Sequence, residues 1–247
     1  MKKELQKKVL ITGGTGSVGQ ALIESFSLHK YDVYFQFNQS VKIATMLQKK
    51  FGAKKIQIDF FNKFKLPNIN FDILINNAGI NISDKLTHKV SDEDWKKTLL
   101  INLEVPFKII KNYLPFMIKN KWGRIINISS IYGLRASEQN LPYTVSKHGL
   151  SGIAQTIAKE YASVGISCNE ICPSAIESDM MIRFAKQSVN NKETSSVKEY
   201  LKEVSNSIPA KRMAKPIDIA TLALYLASDE AGFINGCSIP VDGGLIC

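Results

Sequence analysis

The sequence predicts an α/β fold, a single doubly wound parallel sheet of seven strands with helices on both faces. Three observations predict it. Short apolar runs alternate with amphipathic stretches from Lys8 to the last run, Gly236 to Val241. The first run ends in a glycine-rich turn that leads straight into a helical pattern. No internal repeat or low-complexity linker divides the chain, so residues 1–247 read as one domain.

Composition narrows the classes. With 45% hydrophobic and 22% charged residues the chain can bury a sizeable core. It has no apolar window of membrane-spanning length. The basic start, Met1 to Lys8, is followed only by Val9-Leu10-Ile11, too short for a signal-peptide apolar region, which predicts a cytoplasmic protein without membrane association. The net charge of +10 is scattered and not interleaved with aromatics, so no nucleic-acid partner is expected. Cys168, Cys172, Cys237 and Cys247 form no C-x-x-C pair, and His29, His88 and His148 are isolated; no metal site is predicted.

Taken in order, Lys8 to Ile11 is the first strand, and Thr12-Gly13-Gly14-Thr15-Gly16-Ser17-Val18-Gly19 the turn after it. Glycines let backbone approach a pyrophosphate, and the following helix offers free N–H groups and a positive dipole end. This predicts a Rossmann-type nucleotide site. The second strand, Tyr31 to Phe37, ends at Asn38-Gln39-Ser40, with no carboxylate to repel a ribose 2′-phosphate and Lys42 as the nearest cation. The reading therefore favours NADP(H) over NAD(H).

The third strand, Lys55 to Ile58, ends at Asp59. Only Phe60 to Asn70 precedes the fourth strand, Phe71 to Ile75, and Pro67 lies between. Eleven extended residues reach roughly 35 Å, enough to cross two strands without a helix. The helix between strands three and four is therefore predicted to be shortened or absent, with Phe60, Phe61, Phe64, Leu66 and Ile69 covering the sheet instead.

Asn76-Asn77-Ala78-Gly79 closes the fourth strand, and Ser91-Asp92-Glu93-Asp94 begins a helix. Its apolar stripe is read at Trp95, Leu99, Leu103, Phe107, Ile110, Leu114 and Met117. Pro106 cannot donate to the carbonyl of Asn102, which predicts a kink and a free carbonyl there. Gly123 to Ile128 is a strand ending at Ser129-Ser130. Thirteen residues on stands Tyr143, with Lys147 four residues later on the same helical face. A phenol titrates near 10, and an ammonium one turn away is expected to lower that. After the sixth strand, Ile166 to Ile171, come Pro173 to Ser178 and a polar helical stretch, 179–207, read as a substrate lid.

With these residues placed, the chain resembles the short-chain dehydrogenase/reductase family over its whole length, and within it the 3-oxoacyl-acyl-carrier-protein reductases. The resemblance rests on Thr12 to Gly19, Asp59, Asn76 to Gly79, Asn102, Ser130, Tyr143-x-x-x-Lys147, Pro173 to Ser178 and Asp242-Gly243-Gly244. It implies an NADPH-dependent reduction of a carbonyl to a secondary alcohol. Tyr143 would be the proton donor, Lys147 the cation holding the nicotinamide ribose, Ser130 the group positioning the substrate oxygen and Asn102 a carbonyl for a relay water. It implies coenzyme contacts at Gly13, Thr15, Gly16, Ser17, Val18, Gly19, Asn38, Asp59, Phe60, Asn77, Ala78, Gly79, Tyr143, Lys147 and Ile176. It further implies a small-molecule or acyl-carrier-protein-bound substrate and a homotetramer or homodimer. Ser17 stands where the family usually has glycine. Lys121 would be a basic residue near the entrance, whereas Val164 stands where a second cation is common. The alternatives are a reductase or dehydrogenase of a sugar, steroid or small hydroxy acid, and a non-catalytic NADP-binding regulatory protein.

Overall fold

The computed structural model describes residues 6–247; Met1 to Leu5, most of the basic start discussed above, lie outside them. The strands are β1 (Lys8–Ile11), β2 (Asp32–Phe37), β3 (Lys54–Gln57), β4 (Ile73–Asn76), β5 (Gly123–Ile128), β6 (Ile166–Pro173) and β7 (Ser238–Val241). They form one sheet in the order β3-β2-β1-β4-β5-β6-β7, every pairing parallel. The order reverses between β1 and β4, the switch point beyond whose carboxyl ends open α/β sheets bind their ligands. The strands β4, β5 and β6 are buried throughout, as a parallel sheet covered on both faces requires.

The helices are α1 (Ser17–Leu28), α2 (Val41–Phe51), α3 (Asp92–Leu99), α4 (Val105–Asn120), α5 (Leu141–Tyr161), α6 (Asp179–Asn190), α7 (Val197–Ser207) and α8 (Pro216–Leu226). On one face Leu22, Ile23 and Phe26 of α1, Leu47 of α2 and Ile219 of α8 pack on the sheet. On the other, Ile101, Val105 and Ile109 meet Ala154 and Ile157 of α5. None of the helices is long and apolar enough to cross a membrane among the described residues.

No helix joins β3 to β4, as expected. Phe60, Phe64, Leu66 and Ile69 pack into the core of the α4–α5 face, and the Phe60 and Phe64 rings meet edge to face at 5.0 Å. Fully burying such a side chain is worth about 1.5–3 kcal/mol, so a few of them replace part of a helix face. Tyr113 of α4 donates to the Pro67 carbonyl at 3.0 Å and ties the link down. Phe61 departs from expectation: it points outward and is 46% exposed. The reason is local, because the Phe61 N–H is drawn to the Asp59 carboxylate at 3.0 Å and the turn directs alternate residues apart.

The stripe along α3 and α4 also differs. Ser91 caps α3 by accepting from Asp94 N–H at 3.1 Å. Between α3 and α4, Leu100 to Glu104 form a π-helical turn rather than a simple kink, closed by Val105 N–H on the Leu100 carbonyl. The extra residue in that turn rotates the buried face. Ile101, Val105, Ile109, Tyr113 and Met117 are inside, whereas Phe107 is 50% exposed.

Candidate active site

The nucleotide side of the crevice is built from β1, β2, β4 and α1. Thr12 ends β1, and its Oγ1 accepts from the N–H groups of Asn77 and Ala78 at 3.0 and 2.9 Å. Asn77 in return donates its side-chain amide to the carbonyls of Thr12 and Gly13 at 2.9 and 3.1 Å. The two loops are thereby held as one unit. Gly13 has φ +65°, a conformation that favours glycine. A Cβ on Gly19 would stand 2.3 Å from the Gly13 carbonyl oxygen and 2.7 Å from Gly14 Cα, so only glycine lets α1 start this close to the turn.

Gly16 precedes α1 in extended conformation, with no side-chain cap on the helix and no acidic residue in its first turn. Thr15, Ser17 and Val18 flank it at the half-buried mouth of the turn. Uncapped first-turn amides and a positive helix end suit a pyrophosphate. Gly13, however, contributes its shape and not its N–H, which donates to Gln36 Oε1 at 2.9 Å. Gln36 is buried in β2, accepts Gly14 N–H on its own carbonyl at 2.8 Å, and donates to the Ile58 carbonyl at 2.6 Å. It staples the turn to the end of β3. The sequence offered one sign of this role, a polar residue inside an otherwise apolar strand.

At the far end of the nucleotide side, Asn38 donates its amide to Asp59 Oδ1 at 3.2 Å. The strand end therefore has a carboxylate beside it, supplied by the segment after β3, where the sequence around Asn38 shows none. That carboxylate is occupied, since it also accepts from Phe61 N–H and from Asn62 Nδ2 at 3.0 and 2.8 Å. Phe60 lies beneath it in the core.

The other side is built from β4, β5, β6 and α5. Tyr143 and Lys147 project from one face of α5, as the spacing predicts, and Lys147 Nζ lies 5.4 Å from the centre of the Tyr143 ring. A Cβ on Gly79 would lie 3.5 Å from Asn102 Oδ1 and 3.6 Å from Lys147 Nζ, which places all three together. Asn102 is buried, and its side chain is fully engaged: Oδ1 accepts from Ile80 N–H at 2.8 Å, and Nδ2 donates to the Ile80 carbonyl at 2.8 Å and to Ser146 Oγ at 3.1 Å. The amide thus fixes the loop after β4 to α5. Ser146 completes this lock and sits unremarked between the tyrosine and the lysine in sequence.

Ser130 follows β5, and its Oγ accepts from Tyr132 N–H at 3.2 Å, which leaves its proton free to be donated. Tyr132 and Tyr143 meet edge on at 6.4 Å. Ile176 lies beyond β6, on a segment pinned to Ala214 by a bridge and by Glu177 N–H on the Ala214 carbonyl at 2.9 Å.

The electrostatics differ from the expected lowering of the phenol. Burial pushes Tyr143 up to about 12, against an opposing effect of Ser130 and with a small push from Tyr132. Lys147 is turned away, donating to the Ile128 carbonyl at 2.8 Å. Burial pushes Lys147 down to about 8, against Glu170 and Cys172. At neutral pH the pair is a neutral phenol beside an ammonium. Lys121 is not at this entrance: it precedes β5, and Ser130 follows it, so the strand's length of about 20 Å separates them.

These arrangements place a nucleotide turn and a Ser, Tyr, Lys and Asn group across one crevice. The family model described as enoyl-(acyl carrier protein) reductase matches residues 57–246. The chain belongs to the short-chain dehydrogenase/reductase family. It is 33% identical over 261 aligned residues to the 3-oxoacyl-[acyl-carrier-protein] reductase FabG of Aquifex aeolicus, covering 99% of this chain and 100% of that protein. It is 36% identical over 178 residues to the D-beta-hydroxybutyrate dehydrogenase of Rhizobium meliloti, covering 70% of this chain and 67% of that protein. A structure of an actinorhodin polyketide ketoreductase variant with NADPH superposes with a TM-score of 0.89 at 25% identity, covering 97% of each chain. As a member of this family the protein is an NAD(P)-dependent oxidoreductase acting on CH–OH and C=O groups.

Proposed function

We propose that this short-chain dehydrogenase/reductase is an NADPH-dependent reductase of 3-oxoacyl thioesters. Tyr143 is its proton donor, and Ser130, Lys147 and Asn102 complete the reacting group. The observation that carries the reading is the placement of Tyr143 on α5 with Lys147 Nζ 5.4 Å from its ring centre, beside Asn102 and with the Ser130 hydroxyl free to donate. When bound, the reduced nicotinamide supplies the hydride. Ser130 donates a hydrogen bond to the carbonyl oxygen and orients it. Tyr143, whose phenol burial pushes up, gives its O–H proton to that oxygen as negative charge develops there. Lys147 provides the positive charge that favours the phenolate left behind. Asn102 acts through its backbone carbonyl, since its side chain is already committed to Ile80 and Ser146.

The coenzyme contacts follow the turn: Gly16, Ser17, Val18 and Gly19 at the pyrophosphate, Asn38, Asp59 and Phe60 toward the adenosine, Asn77 to Gly79 along the loop, and Ile176 toward the nicotinamide. The choice of NADPH is supported by the engaged Asp59 carboxylate and by α2. That helix starts beside Asn38 with no side-chain cap and no acidic residue in its first turn. The acyl thioester is supported by the FabG relatives. We assign α6 and α7 as the substrate lid, on the bond from Gln187 of α6 to Asp84 in the loop after β4. A homotetramer or homodimer is supported by Phe107 on α4 and Val145 on α5, both exposed. Four unpaired cysteines agree with work in the cytoplasm.

The test is NADPH consumption with acetoacetyl thioesters, free ketones and sugars as substrates. Thioesters should be preferred, and Tyr143→Phe should lose turnover while still binding coenzyme. Activity surviving in Tyr143→Phe would sink the mechanism. A second reading, a dehydrogenase of a small hydroxy acid, is favoured by the hydroxybutyrate dehydrogenase relative; preference for 3-hydroxybutyrate with NAD would establish it in place of the first.

A further inference from the structure

Glu170 lies in the middle of β6 with no exposed surface. Its Oε2 accepts the hydroxyls of Ser151 and Ser238 at 2.6 and 2.5 Å, while Oε1 has no hydrogen-bond partner among the described residues. It belongs to none of the ion pairs found among those residues. A carboxylate taken out of water with one oxygen unpartnered is costly, so its position calls for a use. No role assigned above employs it.

Its surroundings point to one. Residues two apart on a strand share a face, so Cys168, Glu170 and Cys172 line the same side of β6. Residues four apart on a helix do likewise, which puts Lys147 and Ser151 on one side of α5. The Ser151–Glu170 bond sets these two rows against each other. Lys147 stands one helical turn, about 5.4 Å along the axis, closer to the crevice than Ser151.

We propose that Glu170 is a positioning residue for Lys147, its carboxylate supplying from beneath α5 the negative charge that keeps the buried ammonium protonated. The inference rests on Lys147 being the cation of the site. The groups facing Lys147 leave Glu170 as the anion. Tyr143 on α5 and Cys172 on β6 are both pushed up to about 12 by burial, and Cys168, further down β6, is pushed up as well. The approach from β5 is the Ile128 carbonyl, and that from the π-helical turn is the neutral amide of Asn102. Tyr132 lies beyond Tyr143. Glu170 opposes the effect of burial on Lys147, ahead of Cys172.

Glu170→Gln keeps the shape and an acceptor for both serines but removes the charge. In full-length protein containing 13C-labelled lysine, the Lys147 Cε resonance, assigned by its loss in Lys147→Arg, reports the titration directly and without turnover. Its midpoint should fall by at least about half a pH unit in Glu170→Gln. The corresponding limb of the kcat/KM profile should move with it, and Glu170→Asp should bring both back toward the parent. An unshifted Lys147 resonance in a folded Glu170→Gln protein overturns the proposal. Should that variant not fold, Ser151→Ala and Ser238→Ala remove the two hydroxyls that hold the carboxylate beneath α5. A smaller fall in the same midpoint supports the proposal, and no fall overturns it. A shifted titration in an enzyme whose Tyr143→Phe variant still turns over would uphold this inference while sinking the catalytic reading.

Discussion

On the nucleotide side, polar side chains are committed to backbone: Thr12 to Asn77 and Ala78, Asn77 to Thr12 and Gly13, Gln36 to Gly13 and Ile58. On the reacting side Asn102 and Ser146 are committed likewise, but two further side chains titrate. Tyr143 and Lys147 are driven in opposite directions by the same desolvation. The first side needs a fixed shape, since a pyrophosphate is recognised by amides and a helix end whose position is everything. The second needs protons held at chosen atoms, and burial is what sets those protons' affinities. Mutations should therefore act on binding and stability on one side, and on turnover and pH dependence on the other.

The largest contrast should come from Tyr143→Phe. Losing a general acid typically costs about 10²–10⁴ in turnover. Coenzyme titration by fluorescence should give an unchanged Kd, and a comparable loss of affinity would erase the distinction between the two sides. Gly19→Ala should do the reverse. Its Cβ falls 2.3 Å from the Gly13 carbonyl oxygen, so the turn must move; overpacking of this kind costs about 1–3 kcal/mol, and coenzyme affinity should drop with it. Wild-type affinity in that variant would show that the turn is more pliant than its packing implies.

Gln36→Leu is subtler. It leaves Gly13 N–H and the Ile58 carbonyl without their partner, for a loss of about 1–3 kcal/mol in urea unfolding. The coenzyme KM should rise with kcat retained; a fall in kcat alone would place Gln36 in the chemistry. A further effect is one of pH. Burial pushes Lys147 down to about 8 in the fold, against 10.5 for a free side chain, so between those values the unfolded chain binds the extra proton and stability rises with pH. Below about 8 the cost of the buried charge is fully present. Lys147→Met should thus gain most over the parent at pH 7 and lose that advantage as pH approaches 10.5. A constant difference across that range would mean that Lys147 is not desolvated.

Much of this was legible in the residues. The glycine turn, Ser130, and Tyr143 with Lys147 on one face of a helix follow from backbone rules that act over a few residues. The missing helix after β3 followed from chain length alone. The outward turn of Phe61 is not legible there, since the Asp59 carboxylate redirects the chain at that residue. Nor is the buried face of α4, because the π-helical turn at Leu100 to Glu104 shifts the helical period by a residue.

By itself the sequence determined the order of elements, the parallel sheet and the identity of the residues at the crevice, because periodicity and turn chemistry are local. Tertiary structure decided what those residues can do. It brought the Asp59 carboxylate to Asn38, took Gly13 N–H for Gln36, turned Lys147 toward the Ile128 carbonyl and pushed the Tyr143 phenol up where the spacing predicts it lowered. Each of these depends on partners far apart in the chain and on the loss of water around them, and neither is written in the spacing of residues.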